Sequence, residues 1–508
     1  MERLFYRRFR IEGTLTSLTP LHIGTGLTKK RPIGDENVNV SEVVRDVNGC
    51  PVIPGSTLKG VLRARRNNFP DREEIIDSLF GTEESGNEKG GRLLFQDSQI
   101  SQYRKTPPLF QNKLENGEYP LYWKSEDAFT YITTGTAVNR VTRTVEKHKL
   151  YHNHTVPAGT SFHVCILGEG LTDEELAFLL TLLNEFKKDQ GIAMGGKTAQ
   201  SMGRMIWKLE QVKGISDETA LKKWLYNGNA AGFEGLDPLS PETLGAIRDK
   251  FVFTSAIPAN YLNFEIELAF DGPFLVSDPS QACPSRESDE GGLSHAYLKD
   301  EKGKMILRAS SFRGALRSQA ERIIRTFEPK KACYVESRDN SCQPVTQKEQ
   351  VANLCMACKV FGSNGWRSPI VISDFHPVAE GEEYQQEFVA IDRFTGGAAD
   401  KKKFKAKYRF KPVLKGTLRI DVSRITAGQA GLLALTLRDL LEGDIRFGFG
   451  SSKGFGECRG AIKHIMLPAQ YPEWLKGIAD DLSEVVHPMK KSQVELLKNL
   501  VDEFGKEV

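Results

Sequence analysis

The sequence predicts an α+β fold built twice in tandem. Three observations carry that reading. The chain repeats its motifs at an offset of 253–254 residues. Each copy runs strand, loop, strand, basic helix, strand, excursion, strand, helix, Gly-rich turn, strand. Strands and helices mix without strict βαβα alternation, which favours a sheet with helices on one face, ferredoxin-like or a relative, over a doubly wound sheet. A chain of 508 residues has room for two to four domains, each with its own core.

The repeat is long and ordered. Pro20-Leu21-His22-Ile23-Gly24 answers to Pro273-Phe274-Leu275-Val276-Ser277, and Asp35-Glu36 to Asp289-Glu290. Gly55-Ser56-Thr57-Leu58-Lys59-Gly60-Val61-Leu62-Arg63 answers to Ala309-Ser310-Ser311-Phe312-Arg313-Gly314-Ala315-Leu316-Arg317. Asn139-Arg140-Val141-Thr142 answers to Asp392-Arg393-Phe394-Thr395, and 195–203 to 448–456. A period this long means two domains of one fold rather than a short-period solenoid.

Residues 8–16 alternate and read as a strand, and 24–39 as a Gly-rich and then polar loop. Residues 52–54 form a short strand. Residues 56–68 have helical spacing, with Ser56 or Thr57 as the cap and Lys59, Arg63 and Arg66 on one face. Residues 91–100 read as a strand, and 102–156 as a polar, aromatic excursion of the kind that carries function. A strand at 161–167, a helix at 172–187 capped by Thr172, and a strand at 203–210 complete the copy. The expected division is a first unit at 1–212, a junction at 213–258, a second unit at 259–470 with an insertion at 330–360, and a helical tail at 471–508.

Composition excludes several classes. Net charge is +3, so a nucleic-acid role must come from local patches. No apolar stretch approaches a membrane span, and the basic N-terminus lacks a signal peptide's apolar run. The expectation is a cytoplasmic protein with no membrane partner. Eight cysteines, four of them bunched, argue against a secreted disulfide framework.

Two Gly-rich turns, GIAMGGKTAQSMGR (191–204) and DIRFGFGSSKGFGE (444–457), each follow a helix and precede a strand. A dinucleotide fingerprint or a P-loop has the opposite order. Glycines still let backbone approach a phosphate chain, and Lys197, Arg204, Arg446 and Lys453 supply charge. One such turn reads as a tight αβ connection with solvated bases; two favour phosphate binding. The basic helices, with Lys59, Arg63, Arg65 and Arg66 in one copy and Arg313 and Arg317 in the other, are solvated faces or part of the same basic surface.

The excursions end in VNRVTRTVEKHKLYHNHTVPAGT and IDRFTGGAADKKKFKAKYRFKPV. Lys401, Lys402, Lys403, Lys405, Lys407 and Arg409 interleave with aromatics, which suits single-stranded nucleic acid. His148, His152 and His154 read as surface or RNA contacts rather than a metal site, because the second copy has no equivalents. Cys333, Cys342, Cys355 and Cys358, ending in CxxC, have the spacing of a closed structural zinc site. Cys50, Cys165, Cys283 and Cys458 are unpaired in spacing and read as structural. Asp35 and Asp289, each followed by Glu, are either solvated loop acids or carboxylates that hold a metal ion or orient a nucleophile for phosphodiester cleavage.

Together these motifs resemble the RAMP superfamily of CRISPR-associated proteins, specifically the backbone subunits of type III effector complexes. The carrying segments are TPLHIGTG (19–26), VIPGSTLKGVLRAR (52–65), LFG (79–81), NRVTR (139–143) and the first Gly-rich turn. In the second copy they are ILRASSFRGALR (306–317), VFG (360–362), AIDRFTGGA (390–398) and FGFGSSKGFGE (447–457). Two such units in one chain look like the fused double subunits of type III-D systems. The resemblance implies an RNA-recognition-like palm and a thumb hairpin in each unit, the thumbs lying at 102–156 and 376–412. It implies that the palm holds guide RNA (crRNA) and that the thumb interrupts the duplex with target RNA. It further implies that a loop aspartate, here Asp35 and Asp289, cuts the target with Mg2+ or another divalent ion. RNA contacts are implied at His22, Ser56, Lys59, Arg63, Arg140, Arg143, Gly195, Gly196, Lys197 and Arg204. In the second copy they are implied at Arg313, Arg317, Arg393, Lys402, Arg446, Ser451 and Lys453. Other RAMP subunits and a large subunit are the implied partners. The competing readings are a structural crRNA-binding subunit that never cuts, and guide-RNA processing by His22 or His148.

Overall fold

Phe9, Ile11 and Leu15 alternate along Arg8–Ser17 and are all fully buried, while Arg8 is exposed and Arg10 half-buried. Period-2 burial of this kind makes a strand with one face on a core. In the computed structural model the described residues are 7–33, 36–65, 69–82, 89–100, 130–140, 145–187, 192–215, 218–226, 238–253, 261–278, 294–300, 303–333, 341–468, 472, 474–475 and 491–508. The chain divides into two compact units. Met1–Thr133, Tyr151–Thr198 and Met202–Ile257 form the first; Thr134–Leu150, Ala199–Ser201 and Pro258–Val508 form the second. The outer part of the first excursion, Thr134–Leu150, therefore belongs to the second unit, and the junction to the first.

Each unit is built on one antiparallel sheet. In the first, the order is the two-residue edge Ile192–Ala193, then Arg204–Ile215, Arg8–Ser17, Ser161–Glu169, and Leu93–Phe95 and Gln99–Ile100 on the far edge. In the second it is Cys458–Met466, Tyr261–Phe270, Val413–Asp421, then Ile370–Ile372 and His376–Ala379. Both sheets run last, first, third, second strand, with helices inserted after the first and third. That connectivity is consistent with a ferredoxin-like palm. Even the irregularity repeats: the ladder shifts register at Glu12/Gly13 in one sheet and at Glu265/Ile266 in the other.

The helix after the first strand runs Gly55–Arg63 in the first unit and Ala309–Phe327 in the second. Its N-cap is Pro54, not Ser56 or Thr57. The acceptor comes from elsewhere: Gly55 N donates to Asp97 Oδ1 at 2.8 Å, and Ala309 N to Asp374 Oδ1 at 2.6 Å. A carboxylate from the neighbouring strand region thus replaces the usual local cap. At Asp173–Asn184 the expected cap is present, as a full capping box between Thr172 and Glu175.

The polar stretch read as a loop at 24–39 is a β-hairpin, Gly24–Ile33 against Glu36–Val43. Val40 and Val43 are buried while most of its other described residues stay exposed or half-buried, so the apolar half of the alternation is carried by very few residues. Glu36–Val43 then pairs in parallel with Val145–Thr155 through Val40↔His152. The second unit repeats this parallel pairing with His295–Ala296 on Ala398–Phe410. In that unit the excursion is a long hairpin of Glu382–Ile391 against Ala398–Phe410.

The tail helix Lys491–Glu507 packs on Ala427–Glu442 and buries Leu500 and Phe504. The fit depends on Gly431, where a Cβ would lie 2.0 Å from the Leu500 carbonyl oxygen. Gly431→Ala is therefore expected to undock the tail and lower stability by about 2 kcal/mol or more, on the scale of a buried side chain. Thermal unfolding of the variant checks this; an unchanged midpoint would show that the helices slide to accommodate a methyl group. No helix among the described residues is long and apolar enough to cross a membrane.

Candidate nucleic-acid interface

The two Gly-rich turns close in the same way. Gly203 N donates to Pro20 O at 2.8 Å, and Gly456 N to Pro273 O at 2.9 Å. Gly196 N reaches His22 O, and Phe449 N reaches Leu275 O, both at 2.7 Å. Gly195 and Gly448 adopt φ of 81° and 83°, and a Cβ there would stand 2.5 Å from His22 O and 2.3 Å from Leu275 O. Only glycine meets both demands, a left-handed φ and backbone at van der Waals contact. The turns are pinned to the segment after each unit's first strand, with Met194, Ser201, Phe447 and Phe455 buried beneath them.

Each turn places a lysine on an aromatic ring of the neighbouring excursion strand. Lys197 Nζ lies 4.3 Å from the centre of the Tyr151 ring, and Lys453 Nζ 4.3 Å from that of Phe404. Tyr151 and Phe404 are equivalent positions at the 253-residue offset. The lysines are not: Lys197 aligns with Gly450, and Lys453 with Gln200. Two different steps of the turn thus bring an ammonium group to the same ring. Burial pulls Lys197 down to about 8. Alignment of the rings was legible in the sequence, but their lysine partners were not.

Histidine accompanies both pairs, again from different positions. His22 Nδ1 donates to the His154 carbonyl at 2.7 Å. Burial holds His22 below the ordinary imidazole range, opposed by that hydrogen bond and reinforced by Lys197. The second unit has Leu275 there, and His295 packs 4.2 Å from the Phe449 ring instead. Burial, then Lys453, holds His295 down too.

The sheet faces turned away from the helices are poor in rings. Glu265 pairs with Lys415 at 2.7 Å and Glu267 with Lys463 at 2.9 Å, while Tyr261 on that face is covered by Arg419. In the first unit Glu12 holds Arg10 at 2.7 Å and Gln211 at 2.6 Å. A sheet that reads RNA bases stacks them on open aromatic side chains; here the lysine–ring pairs lie at the Gly-rich turns instead.

The RAMP superfamily profile matches residues 14–206 and again 267–459, two stretches displaced by the repeat offset. The chain belongs to the RAMP superfamily. It is a CRISPR-associated RNA-binding protein built from two tandem RAMP repeats. No curated protein matches the chain.

Several residues expected on the RNA face of this RAMP protein are placed elsewhere. Arg313, aligned with Lys59, is buried and donates to Ile370 O at 2.8 Å, Ser368 Oγ at 2.9 Å, Phe361 O at 3.3 Å and Ala199 O. Arg317, aligned with Arg63, donates to Glu321, Gly362 O and Cys358 Sγ at 2.9, 2.8 and 3.1 Å. Both guanidinium groups serve the interior: Arg313 is held by the 361–370 segment and Ala199, and Arg317 by Glu321, Gly362 and Cys358. Arg140 is ion-paired with Glu321, and Arg204 is buried. Four basic side chains of the second hairpin are ion-paired. Lys403 and Lys405 pair with Glu387, Lys407 with Glu383, and Arg409 with Glu380, at 2.7 to 3.1 Å.

Others remain outward. Ser56 is exposed and Lys59 and Arg63 are half-buried. Arg393 is exposed at the hairpin tip, beside a fully exposed Phe394. Arg446 closes its own turn on Ser451 O at 3.0 Å and Glu457 at 3.3 Å. Asp35, Asp289 and Arg143, and the side chains of Lys402 and His148, lie outside the described residues.

Cys333, Cys342, Cys355 and Cys358 come together, with all four Sγ atoms within 4.8 Å of one another. Cys333 Sγ is 3.6 Å from both Cys355 Sγ and Cys358 Sγ. That is too far for a disulfide, and close to the roughly 3.8 Å that a tetrahedral zinc with bonds of about 2.3 Å requires. Backbone N–H groups of Cys342, Cys355 and Cys358 point at sulfur atoms at 3.2, 3.1 and 3.4 Å. Hydrogen bonds from the neighbouring thiols hold Cys333 well below the ordinary thiol range. Donors aimed at thiolates are the usual outer shell of such a site.

Proposed function

We propose that this RAMP protein is the fused double backbone subunit of a type III CRISPR effector complex. It holds crRNA along its phosphates and cuts complementary target RNA with Asp35 and Asp289, using Mg2+ or another divalent ion. A structural zinc ion sits on Cys333, Cys342, Cys355 and Cys358. Other RAMP subunits and a large subunit are its partners in the complex. The observation that carries the RNA-binding part is the duplicated Gly-rich turn with its lysine on an equivalent ring. Such a pair offers a positive charge beside a flat surface, which suits a sugar-phosphate chain better than a particular base.

The test is purification of the chain with its RNA, followed by Lys197→Ala and Lys453→Ala. Each is expected to weaken guide binding for all sequences alike and to reduce the salt slope by about 1. A loss confined to one guide sequence would refute backbone binding. Lys197 adds a pH signature. Its charge is complete well below its pKa of about 8 and is lost as pH rises through it. Guide affinity should therefore fall between roughly pH 7 and 9, and Lys197→Arg should abolish that fall because guanidinium stays charged.

A further inference from the structure

The second hairpin ends in a tip that is well ordered and yet bare. Asp392 shapes it. Its carboxylate accepts from Thr395 N at 2.9 Å and Phe394 N at 2.8 Å. Its own N–H donates to Gly397 O at 2.8 Å, and Gly396 N reaches Asp392 O at 2.9 Å. The N–H groups of Thr395 and Phe394 hold the Asp392 carboxyl below its usual range. The turn thus satisfies its backbone without its outer side chains. Phe394 is fully exposed, Ile391 60% and Val389 48%. Arg393 is exposed, and its side chain has no hydrogen bond or ion pair among the described residues. Apolar groups and an unpaired guanidinium group on a preordered turn make a surface that binds at little cost in ordering.

The first repeat shows what such a tip binds. Arg140 aligns with Arg393, and Val138 with Ile391. Arg140 is ion-paired with the fully buried Glu321, and its carbonyl accepts from Ser318 Oγ at 3.5 Å. Glu321 and Ser318 both stand on Ala309–Phe327, the helix after the second unit's first strand. The segment Thr134–Leu150 accordingly belongs to that unit. A protein helix with a carboxylate, rather than a phosphate, is therefore the partner of this arginine position.

A second copy of this chain does not supply that partner. The helix it would offer is Gly55–Arg63. This helix ends at the residue aligned with Arg317, one turn before the position of Glu321, and it contains no acid. Its only charged side chains, Lys59 and Arg63, repel Arg393.

We infer that the tip at 391–395 is a protein-docking surface, and that its occupant is the corresponding helix of a different RAMP chain, one with a carboxylate on the turn where Glu321 stands. The inference rests on the assembly with other RAMP subunits proposed above. Arg393 is then a docking residue rather than a phosphate contact, and Phe394 packs on protein rather than on bases.

The full chain, purified in its assembled complex, tests this. Phe394 is replaced by benzoylphenylalanine, which its full exposure lets the fold accept. The complex is irradiated and the joined peptide identified by mass spectrometry. The expected crosslink is to the helix after a first strand in another RAMP chain, beside an Asp or Glu. Arg393→Glu should weaken that neighbour's binding about 30-fold or more, and changing the neighbour's acid to Arg should restore it. Phe394→Ala should weaken it about tenfold. The chain alone should stay monomeric at micromolar concentration. A crosslink to RNA or to a second copy, no crosslink in the assembled complex, an Arg393→Glu variant that keeps its neighbour, or self-association of the chain alone overturns the inference. A complex that gives the expected crosslink but holds no crRNA sinks the type III reading and leaves the docking surface standing. A chain that copurifies with no other protein overturns both the surface and the proposed partners.

Discussion

Asp35→Ala is expected to erase one of two cuts in a complementary target RNA and leave the other, and Asp289→Ala to do the reverse. Two independent cuts follow from the duplication, since each unit carries its own acidic segment and its own stretch of RNA. Each lost cut should slow by at least about 10²-fold, the usual loss when one group that stabilises developing charge is removed. Guide binding should not change, because the proposed phosphate contacts lie on the Gly-rich turns. Chelation of divalent ions should stop both cuts at once, since a lone carboxylate cannot neutralise a developing phosphorane. The measurement is denaturing gel analysis of end-labelled target with guide-loaded complex. If the double variant still cuts at both places, the chemistry belongs to other acids nearby. Glu36, Glu42 and Asp278 are the next to test, though Glu42 is buried against Arg31 at 3.2 Å and Asp278 is buried as well. If the wild type binds guide and target and never cuts, the chain is the purely structural subunit.

Cys355→Ser should empty the metal site and destabilise the second unit while the first stays folded. Zinc binding at such sites is folding free energy, on the order of 10 kcal/mol in isolated fingers. Here a large core shares the load, so the expected result is local. Protection in the helix Ala309–Phe327 should fall, since Arg317 and Arg325 reach from it to Cys358 and Cys333. Protection in Arg8–Ser17 should not. Hydrogen exchange with parallel zinc analysis reads both. Full zinc content in the variant would refute the ligand set.

The duplicated motifs determined most of the fold: two copies of one strand and helix order, read from a constant offset, became two sheets with the same strand permutation. The CxxC cluster and the cap at Thr172 were legible because their partners are close in sequence and their spacing encodes their geometry. The Gly-rich turns were legible as turns for the same reason. What lay beyond the sequence was whatever depends on a distant partner. The hairpin at 24–43 looked like a loop because the strand it pairs with, 145–155, lies more than a hundred residues away in the chain. Lys59 and Arg313 occupy one aligned position on one kind of helix, yet one stays half-exposed while the other is buried. Spacing tells which residues share a face, not what covers it. The basic run at 401–409 reads as an RNA stripe, and only strand register shows that Glu380, Glu383 and Glu387 stand against Lys403, Lys405, Lys407 and Arg409. Lys197 and Lys453 reach equivalent rings from non-equivalent positions, a convergence no alignment could display. Periodicity is a local property of the chain, whereas the balance of a charge or the covering of a face depends on groups up to hundreds of residues away, so only the tertiary structure could decide them.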